Sequence, residues 1–390
     1  MIYLDNASTT KMYDAVLEEY NNVSNNNFFN ASALYSKGLE SKNLINQSRN
    51  TILNAIGASN YDVIFTGSAT EANNMAINTF ANRKNKNFVF SMAEHPSVFN
   101  VAKELENRGI EVRYVNLKQD GRVDEEHFKS LIDENTCFVS IMNVCNETGA
   151  VNDIKNLVKI AKEKNKSVIF HSDGVQAFLK VPVNLDNLNV DMYTISSHKV
   201  NGPKGVGALI VKKGVNVNPL ILGGGQENNK RSGTENVAGI SAFKKAVEIN
   251  FSNLNEEYNR LKDLKKYFIN KLKTIDNFVC YTDMENFSPY ILECSFLGVR
   301  AETMLHMLEE KGALISNGSA CSSKKQGNRI LEAMGLKSNE IESSVRFSFG
   351  HDTKIEDINY VFECIKTAND NYLKITNKGN RKWVLKQKEQ

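Results

Sequence analysis

Residues 168–199 read VIFHSDGVQAFLKVPVNLDNLNVDMYTISSHK. This stretch holds two short apolar runs, 168–171 and 192–195, and polar residues follow each run directly. Continuous apolar runs of this length are typical of strands that are buried on both faces of a parallel sheet. We therefore predict an α/β fold, in which helices cover both faces of a mostly parallel sheet. Further runs of this kind alternate with helical stretches between about residues 60 and 212, at 63–66, 88–91, 138–142 and 208–211.

A second domain is predicted from the chain length and from the pattern beyond residue 254. A chain of 390 residues exceeds the usual size of one compact core. Residues 254–275 carry apolar side chains at helical spacing, which predicts a long helix leaving the sheet domain. Strand-like runs at 290–296 and 345–349, with a helix near 301–311, predict a smaller α+β domain. The predicted bounds are 14–254 for the large domain, and 1–13 with 255–390 for the small domain.

The composition limits the classes of function. Charged residues make up 24% of the chain and the net charge is +3, too small to indicate nucleic-acid or membrane partners. The first residues lack the pattern of a secretory signal, and no apolar run is long enough to cross a bilayer. The six cysteines are scattered without the paired spacing of a zinc site, so we expect reduced thiols and no metal. We expect a cytoplasmic protein.

Polar, reactive side chains follow five of the predicted strands. Ligands of an open parallel sheet bind at the carboxyl ends of its strands, so these side chains are expected to share one crevice. One such group alone is compatible with an ordinary loop, but five in order indicate an active site. The groups are Gly67–Glu71, Glu94 with His95, Asn146 with Glu147, Asp173 with Gln176, and Ser196–Lys199.

The first and last of these groups indicate a phosphate site. Ser68 and Glu71 have the spacing of a capping box at a helix start. The N–H groups and the dipole of a helix N-terminus favour a bound anion, although a plain helix cap has the same sequence pattern. Further donors would come from Thr70, Ser196 and His198.

Lys199 and Asp173 add the reactive groups of a pyridoxal-phosphate (PLP) site. A lysine in a tight polar turn after a buried strand, beside phosphate donors, is a candidate for a Schiff base with the cofactor. PLP acts as an electron sink only while its ring nitrogen is protonated. A carboxylate at ~4 Å, with an effective dielectric constant of about 20, contributes roughly 4 kcal/mol to that protonation, or about three pKa units. We predict that Asp173 has this role.

The order of motifs resembles the cysteine desulfurases of the class-V aminotransferase family. The resemblance runs from Tyr3 to about residue 360, and the segment Gly-Ser-Ala-Cys-Ser-Ser is similar to the group I branch. It implies a fold-type I PLP-dependent transferase, with a mostly parallel sheet in the large domain and a smaller α+β domain. The motifs are Thr-Gly-Ser-Ala-Thr-Glu-Ala-Asn-Asn, Glu-His, Asn-Glu-Thr-Gly, His-Ser-Asp-Gly-Val-Gln, Ser-Ser-His-Lys, Gly-Gly-Gly-Gln-Glu, Arg-Ser-Gly-Thr, Gly-Ser-Ala-Cys-Ser-Ser and Arg-Phe-Ser.

The resemblance also implies a role for each matching residue. Lys199 would bind the cofactor covalently, and His95 would stack on the cofactor ring and move protons. Asp173 would face the pyridine nitrogen, with Asn146 and Gln176 at the phenolic oxygen. The phosphate would be held by Ala69, Thr70, Ser196, Ser197 and His198, with Thr234 coming from the partner subunit of a homodimer. Arg346 and Asn30 would bind the substrate.

Arg346 is also singled out by its own strand. Apolar residues alternate over 345–349, so Arg346 and Ser348 share the opposite face of the strand. A guanidinium on an inner wall suits bidentate capture of a carboxylate, whereas a solvated arginine on a strand face is the alternative.

Cys321 lies in a small, polar segment that is suited to movement. A thiol with a pKa of about 8.5 is only a few per cent thiolate at neutral pH, and the neighbouring Lys324 and Lys325 would raise that fraction. Cys137 and Cys294 lie in apolar runs and are expected to be buried packing residues. Cys145 is the competing candidate, because it neighbours Asn146 at the predicted crevice.

The function implied by the resemblance is conversion of L-cysteine to L-alanine. The sulfur would be held as a persulfide on Cys321 and passed to an acceptor protein, an iron–sulfur scaffold or a tRNA-thiolation protein. A selenocysteine lyase or an aminotransferase on the same scaffold is one alternative, and the cysteine segment argues against the aminotransferase. A PLP-binding or sulfur-carrying protein without turnover is the other.

Two local departures and a basic terminus complete the sequence. Residues 30–35, Asn-Ala-Ser-Ala-Leu-Tyr, stand where many members have Asn-Pro-Ser-Ser-x-His. Cys145 precedes Asn146 where an asparagine is usual, and Asn143 replaces a histidine. The basic residues of 374–388 suggest a surface for a partner or for tRNA, with a solvated terminus as the alternative.

Overall fold

A computed structural model describes residues 1–282, 285–317 and 328–388, with side chains described up to residue 375. Cys321, Lys324 and Lys325 lie outside the described residues. The strands are β1 (Ile2–Tyr3), β2 (Tyr61–Thr66), β3 (Asn87–Ser91), β4 (Glu111–Val115), β5 (Thr136–Ser140), β6 (Ile169–Asp173), β7 (Met192–Ser196), β8 (Gly207–Lys212), β9 (Phe278–Cys280), β10 (Ile291–Phe296), β11 (Ala313–Leu314) and β12 (Ser344–Ser348). The helices are α1 (Asp14–Asn26), α2 (Ser36–Ala55), α3 (Ala69–Asn78), α4 (Pro96–Asn107), α5 (Glu125–Leu131), α6 (Ile154–Lys164), α7 (Leu185–Leu188), α8 (Gln226–Asn229), α9 (Val237–Leu272), α10 (Ala301–Glu309), α11 (Arg329–Ala333), α12 (Ser338–Glu342) and α13 (Ile355–Lys388).

The chain divides into two compact units. The large unit holds Ser8–Asn146 and Ala150–Glu256. The small unit holds Met1–Ala7, Glu147–Gly149 and the described residues from Glu257 onward. Within the described ranges, no helix is long and apolar enough to cross a membrane.

The large unit is built on a seven-stranded sheet with the order β2-β8-β7-β6-β5-β3-β4. β8 is antiparallel to both of its neighbours, β2 and β7, and the other neighbouring pairs are parallel. Six strands therefore point in one direction, which confirms the predicted α/β fold with a mostly parallel sheet. The edge strand β4 was missed, because its sequence Glu-Val-Arg-Tyr-Val alternates polar and apolar residues instead of forming a continuous apolar run.

Aromatic side chains fill the space between this sheet and its helices. The rings of Phe88, Phe90 and Phe138 lie within 5.7 to 6.3 Å of one another, and all three side chains are fully buried. α3 packs Met75 and Ala76 into the same core cluster. The buried face of α3 fixes the helix on the sheet, so the position of its N-terminus is set by apolar packing.

The small unit contains a three-stranded antiparallel sheet with the order β12-β10-β9 and a parallel pair formed by β1 and β11. Its core includes residues from the C-terminal half of α9, from β10 and β12, and from α10 and α13. The rings of Phe268, Phe347 and Phe349 meet edge to face, with centroids 5.2 and 6.2 Å apart. The predicted smaller α+β domain corresponds to this combination of helices and antiparallel strands.

A buried lysine interrupts the apolar face of α9 in the small unit. Lys265 is 1% exposed, and its Nζ donates a hydrogen bond to the Ser288 carbonyl oxygen at 3.0 Å. Burial lowers the pKa of Lys265 to about 8, because the ammonium ion has lost most of its hydration. The charged form of this side chain therefore opposes folding at neutral pH.

We expect Lys265→Met to stabilise the protein at pH 7 but not at high pH. The unfolded lysine holds its proton up to about pH 10.5 and the folded one only to about pH 8, so the stability of the natural protein rises between these values. The substitution should add roughly 1–3 kcal/mol at pH 7, since each pKa unit corresponds to about 1.4 kcal/mol and a hydrogen bond is lost. Urea unfolding at pH 7 and pH 9.5 measures this, with the exposed neighbour Lys266→Met as the control. Loss of stability at pH 7 would contradict the prediction.

Candidate active site

The carboxyl ends of β2, β3, β5, β6 and β7 lie on one edge of the large sheet, because these strands share one direction. All of the polar groups predicted at strand ends belong to the large unit, except that Glu147 belongs to the small unit. The structure thus gathers the candidate residues by strand direction alone, as expected for a ligand site of an open α/β sheet.

The N-terminus of α3 is capped and held by charge. Ser68 is the N-cap, and its Oγ accepts the N–H of Glu71 at 3.1 Å. The Glu71 carboxylate accepts the N–H of Gly67 at 2.8 Å and pairs with Arg231 at 2.8 Å. The reciprocal bond of the predicted capping box thus goes to the residue before the cap. Ala69 and Thr70 begin the helix, where N–H groups have no partner within the helix.

Strand β8 runs very close to this helix start. A Cβ atom on Gly207 would lie 2.5 Å from the carbonyl carbon of Ser68 and 2.7 Å from the nitrogen of Ala69. Real Cβ atoms are not found at such distances from backbone atoms, so the position requires glycine. A cavity of about 180 Å³ next to this turn is lined by residues that include Gly67, Arg231 and Thr234. Thr234 itself is exposed.

Asp173 ends β6 with its carboxylate fully engaged. Its Oδ1 accepts the N–H of Val175 at 3.0 Å, and its Oδ2 accepts Nδ2 of Asn73 at 2.8 Å. Asp173 is 4% exposed, and Asn73 of α3 is fully buried. These two donors hold the carboxylate in one orientation at the end of β6.

His95 is the N-cap of α4. Its Nδ1 accepts the backbone N–H of Ser97 at 3.1 Å and lies 2.8 Å from the Ser97 hydroxyl. That hydroxyl also accepts Nδ2 of Asn73 at 2.8 Å. One continuous set of hydrogen bonds thus joins His95 to Asp173 through Ser97 and Asn73.

Gln176 is oriented by a buried lysine. Lys180 is 5% exposed, and its Nζ donates to Oε1 of Gln176 at 2.9 Å. An ammonium group can only donate, so the amide oxygen of Gln176 faces Lys180 and the amide nitrogen faces the other way. Gln176 therefore presents a donor on its other side, which suits an anionic oxygen.

Lys199 closes a short 3₁₀ turn, Ser197–Lys199, directly after β7. Its Nζ donates to the carbonyl oxygen of Ser8 at 2.6 Å. The backbone of the turn is held by the N–H and the hydroxyl of Thr10, which both donate to the His198 carbonyl oxygen. Burial, followed by the charge of Lys199, lowers the pKa of His198 to about 4, so His198 is neutral at physiological pH.

Arg346 of β12 is buried in the small unit and pairs with Asp5 at 2.9 Å. Two further carboxyl groups carry raised pKa values, about 7 for the partly buried Glu147 and about 8 for the fully buried Glu293, in each case mainly because of burial. Arg346 lowers both values, but its single positive charge does not offset the burial of both groups. Below these pKa values the two carboxyl groups are mostly uncharged, and the charge of Arg346 is then balanced mainly by Asp5.

The other candidates have different surroundings. Asn30 is exposed, and its Oδ1 accepts the N–H of Ser32 at 2.8 Å. Cys145 is fully buried. Cys137 and Cys294 are buried as expected, and burial raises the pKa of both thiols, to about 11 for Cys137. Buried thiols of this kind do not form the thiolate that a nucleophile requires.

Asn73, Ser97 and Lys180 were not singled out from the sequence. Asn73 lies inside the quoted motif Thr-Glu-Ala-Asn-Asn, and its place one turn after a helix cap is the only local signal. Ser97 follows a Pro at the start of a helix, where a serine is unremarkable. The contact between Asn73 and Ser97 arises because α3 and α4 both start at the same edge of the sheet.

The large unit has the features of an enzyme of the fold-type I PLP class. These are a lysine after β7, a carboxylate at the end of β6 and a capped helix after β2. Residues 2–361 match the family model for Aminotransferase class-V. The chain belongs to the class-V aminotransferase family, whose members use PLP.

Individual relatives agree with this assignment. The chain is 39% identical over 370 residues to "Cysteine desulfurase IscS" of Dictyoglomus turgidum, covering 94% of this chain and 93% of the relative. The solved structure of a "NifS-like protein" superposes with a TM-score of 0.88 at 32% identity, covering 94% of this chain and 98% of the other. "SspA in complex with cysteine" gives a TM-score of 0.79 at 30% identity, covering 90% and 99%.

Proposed function

We propose that this protein is a PLP-dependent cysteine desulfurase that converts L-cysteine to L-alanine and holds the sulfur as a persulfide on Cys321. The observation that carries the proposal is the placement of Lys199, Asp173 and His95 after three strands with a common direction. The relatives named cysteine desulfurase, at up to 39% identity over most of both chains, support cysteine as the substrate.

The residues present fit PLP. The buried hydroxyl of Ser197 has no hydrogen-bond partner among the described residues, and Gly207 keeps side-chain atoms away from the start of α3. A phosphate would be held by Ala69, Thr70, Ser196, Ser197 and His198, while Asp173 would face the pyridine nitrogen. Asn146 and Gln176 would donate to the phenolic oxygen. When it is bound to Lys199, PLP supplies an electron sink for charge that develops on the substrate.

Arg346 would bind the carboxylate of cysteine. Its guanidinium is held in place by Asp5, and burial raises the pKa values of Glu147 and Glu293, which reduces the negative charge of these two groups near neutral pH. A planar guanidinium binds a carboxylate through two parallel hydrogen bonds, which orients the amino acid as well as anchoring it. Asn30 is proposed as a further substrate contact.

Cys321 would act as the nucleophile. Its thiolate attacks the sulfur of cysteine, an S–S bond forms and the C–S bond breaks. The electron pair of the broken bond stays with the carbon fragment, which takes up a proton to become alanine. The persulfide sulfur is then passed to an acceptor protein. Lys199 and His95 are the groups proposed to hold protons during these steps.

We expect Cys321→Ala to bind PLP and L-cysteine but to release no alanine, because no thiolate attacks the substrate sulfur. In the natural protein, cysteine without reductant or acceptor should leave one extra sulfur on Cys321. Alanine release and mass mapping of peptides measure the two results, with Cys364→Ala as the cysteine control. Extra sulfur on Cys145, with Cys321 unmodified, would refute the assignment, and no alanine from the natural protein would refute the desulfurase proposal.

We expect Arg346→Lys to raise the KM for cysteine by about 10- to 100-fold and to change kcat much less. The lysine keeps the charge but loses one of two charge-assisted hydrogen bonds, which contribute about 1.5–3 kcal/mol. Steady-state kinetics measure the effect, and Arg300→Lys, at an exposed position of the same unit, is the control. An unchanged KM would show that another group binds the carboxylate.

The acceptor is proposed to be an iron–sulfur scaffold or a tRNA-thiolation protein, in the cytoplasm. The printed name IscS of the relatives supports the first of these. α13 extends through Lys388, so the basic C-terminal segment continues a helix. A basic helix offers a surface for an acidic partner or for tRNA.

The active form is proposed to be a homodimer in which Thr234 contacts the phosphate bound by the partner subunit. Leu220, Ile221 and Leu222 lie one after another in the segment that leads to Thr234, and Leu222 is 81% exposed. Consecutive exposed apolar side chains favour an interface with a second copy of the chain. We expect a dimer by analytical ultracentrifugation and a monomer with reduced activity for Leu222→Asp. A fully active monomer of the natural protein would contradict this.

A further inference from the structure

We infer that Asn73 and Ser97 are positioning residues that keep the hydrogen of the neutral His95 ring on Nε2. His95 then donates a hydrogen bond through Nε2, and Lys199 is the group that exchanges protons with the substrate. The inference rests on the proposed function. It changes the proposed role of His95 from a group that carries protons to a group that donates a hydrogen bond.

The direction of each hydrogen bond follows from Asp173. The carboxylate can only accept, so the Asn73 group that faces Oδ2 at 2.8 Å is the amide nitrogen. The second hydrogen of that nitrogen goes to Oγ of Ser97, also at 2.8 Å. Because Ser97 Oγ accepts from Asn73, its own hydrogen is available for Nδ1 of His95 at 2.8 Å.

The backbone gives the same direction independently. The N–H of Ser97 can only donate, and it points at Nδ1 of His95 at 3.1 Å. Nδ1 therefore carries the lone pair, and the hydrogen of the neutral ring is on Nε2. Two donors from one residue converge on Nδ1, and the side-chain donor is oriented by Asn73 and Asp173.

This arrangement makes His95 a weak base in its resting form. Nε2 can accept a proton only if the ring hydrogen moves to Nδ1, where it would face two donors. A doubly protonated ring meets the same conflict, and its charge would lie at the positive end of the α4 dipole. The tautomer with Nε2–H is therefore favoured by roughly tenfold or more. The amine of Lys199 is the group in the proposed set that can hold and release protons.

The tautomer is tested by NMR on protein with ¹⁵N-labelled histidine, loaded with PLP, with His95 assigned by its absence in His95→Gln. We expect Nδ1 without hydrogen and Nε2 with hydrogen near neutral pH. In Ser97→Ala the Nδ1 resonance should move as one accepted hydrogen bond is lost, and Ser97→Thr should restore it. A hydrogen on Nδ1 in the natural protein, or no movement in Ser97→Ala, would overturn the inference.

A matched pair of variants tests the role in turnover. The Nε2 of a glutamine reaches the place of the histidine Nε2, whereas an asparagine at 95 reaches only the place of Nδ1 and keeps the helix cap. A donor role predicts alanine formation by His95→Gln at least tenfold faster than by His95→Asn, with PLP bound in both. Equal losses of about 10²- to 10⁴-fold in the two variants would indicate a proton carrier and overturn the inference. The natural protein is assayed alongside: if it forms no alanine the desulfurase proposal fails, whereas the tautomer result still decides the inference.

Discussion

The common direction of β2, β3, β5, β6 and β7 determines where chemistry can occur in this chain. Because these strands are buried, the residues that follow each strand are the first to emerge at the edge of the sheet. Parallel neighbours share that edge, so residues far apart in sequence, such as Gly67 and Lys199, are brought to it by the direction of their strands. β8 is the reversed strand, and it enters at the same edge with Gly207, where a larger residue would displace the helix start.

Asp173 of the large unit and Glu293 of the small unit are both buried carboxyl groups, but their hydrogen bonds differ. Asp173 of the large unit receives a donor on each oxygen, which fixes the orientation of its carboxylate. Glu293 has one oxygen without a hydrogen-bond partner among the described residues, and Ser344 donates to the other. Burial raises the pKa of Glu293 to about 8, so at neutral pH Glu293 is mostly protonated and adds little negative charge beside Arg346, which pairs with Asp5. The two buried groups thus differ in their donors: both oxygens of Asp173 accept a hydrogen bond, whereas only one oxygen of Glu293 has a partner among the described residues.

The sequence predicts this fold well where apolar residues recur regularly along a strand or a helix. Continuous apolar runs locate the buried strands, whereas β4 escapes because an edge strand can alternate. The long helix was predicted from residue 254, but α9 begins at Val237, because residues such as Phe243 pack it in the large unit without one continuous stripe. Strand ends also predict Lys199, Asp173 and His95. Asn73 and Ser97 could not be found in this way, because the contact between them forms only when α3 and α4 start side by side.

Asn143, which stands where the resemblance to the family implies a histidine, has a structural role in this chain. Tyr193 is fully buried, and its hydroxyl donates to Oδ1 of Asn143 at 2.8 Å. Its ring lies so close to Gly174 that a Cβ atom there would be 2.0 Å from the ring carbons. The N–H of Asn143 in turn donates to the carbonyl oxygen of Asp173 at 2.9 Å, so this group of residues sets the backbone that carries the Asp173 carboxylate. What position 143 must supply is an acceptor for a hydroxyl that cannot reach water, and an amide oxygen and an imidazole nitrogen each meet that requirement.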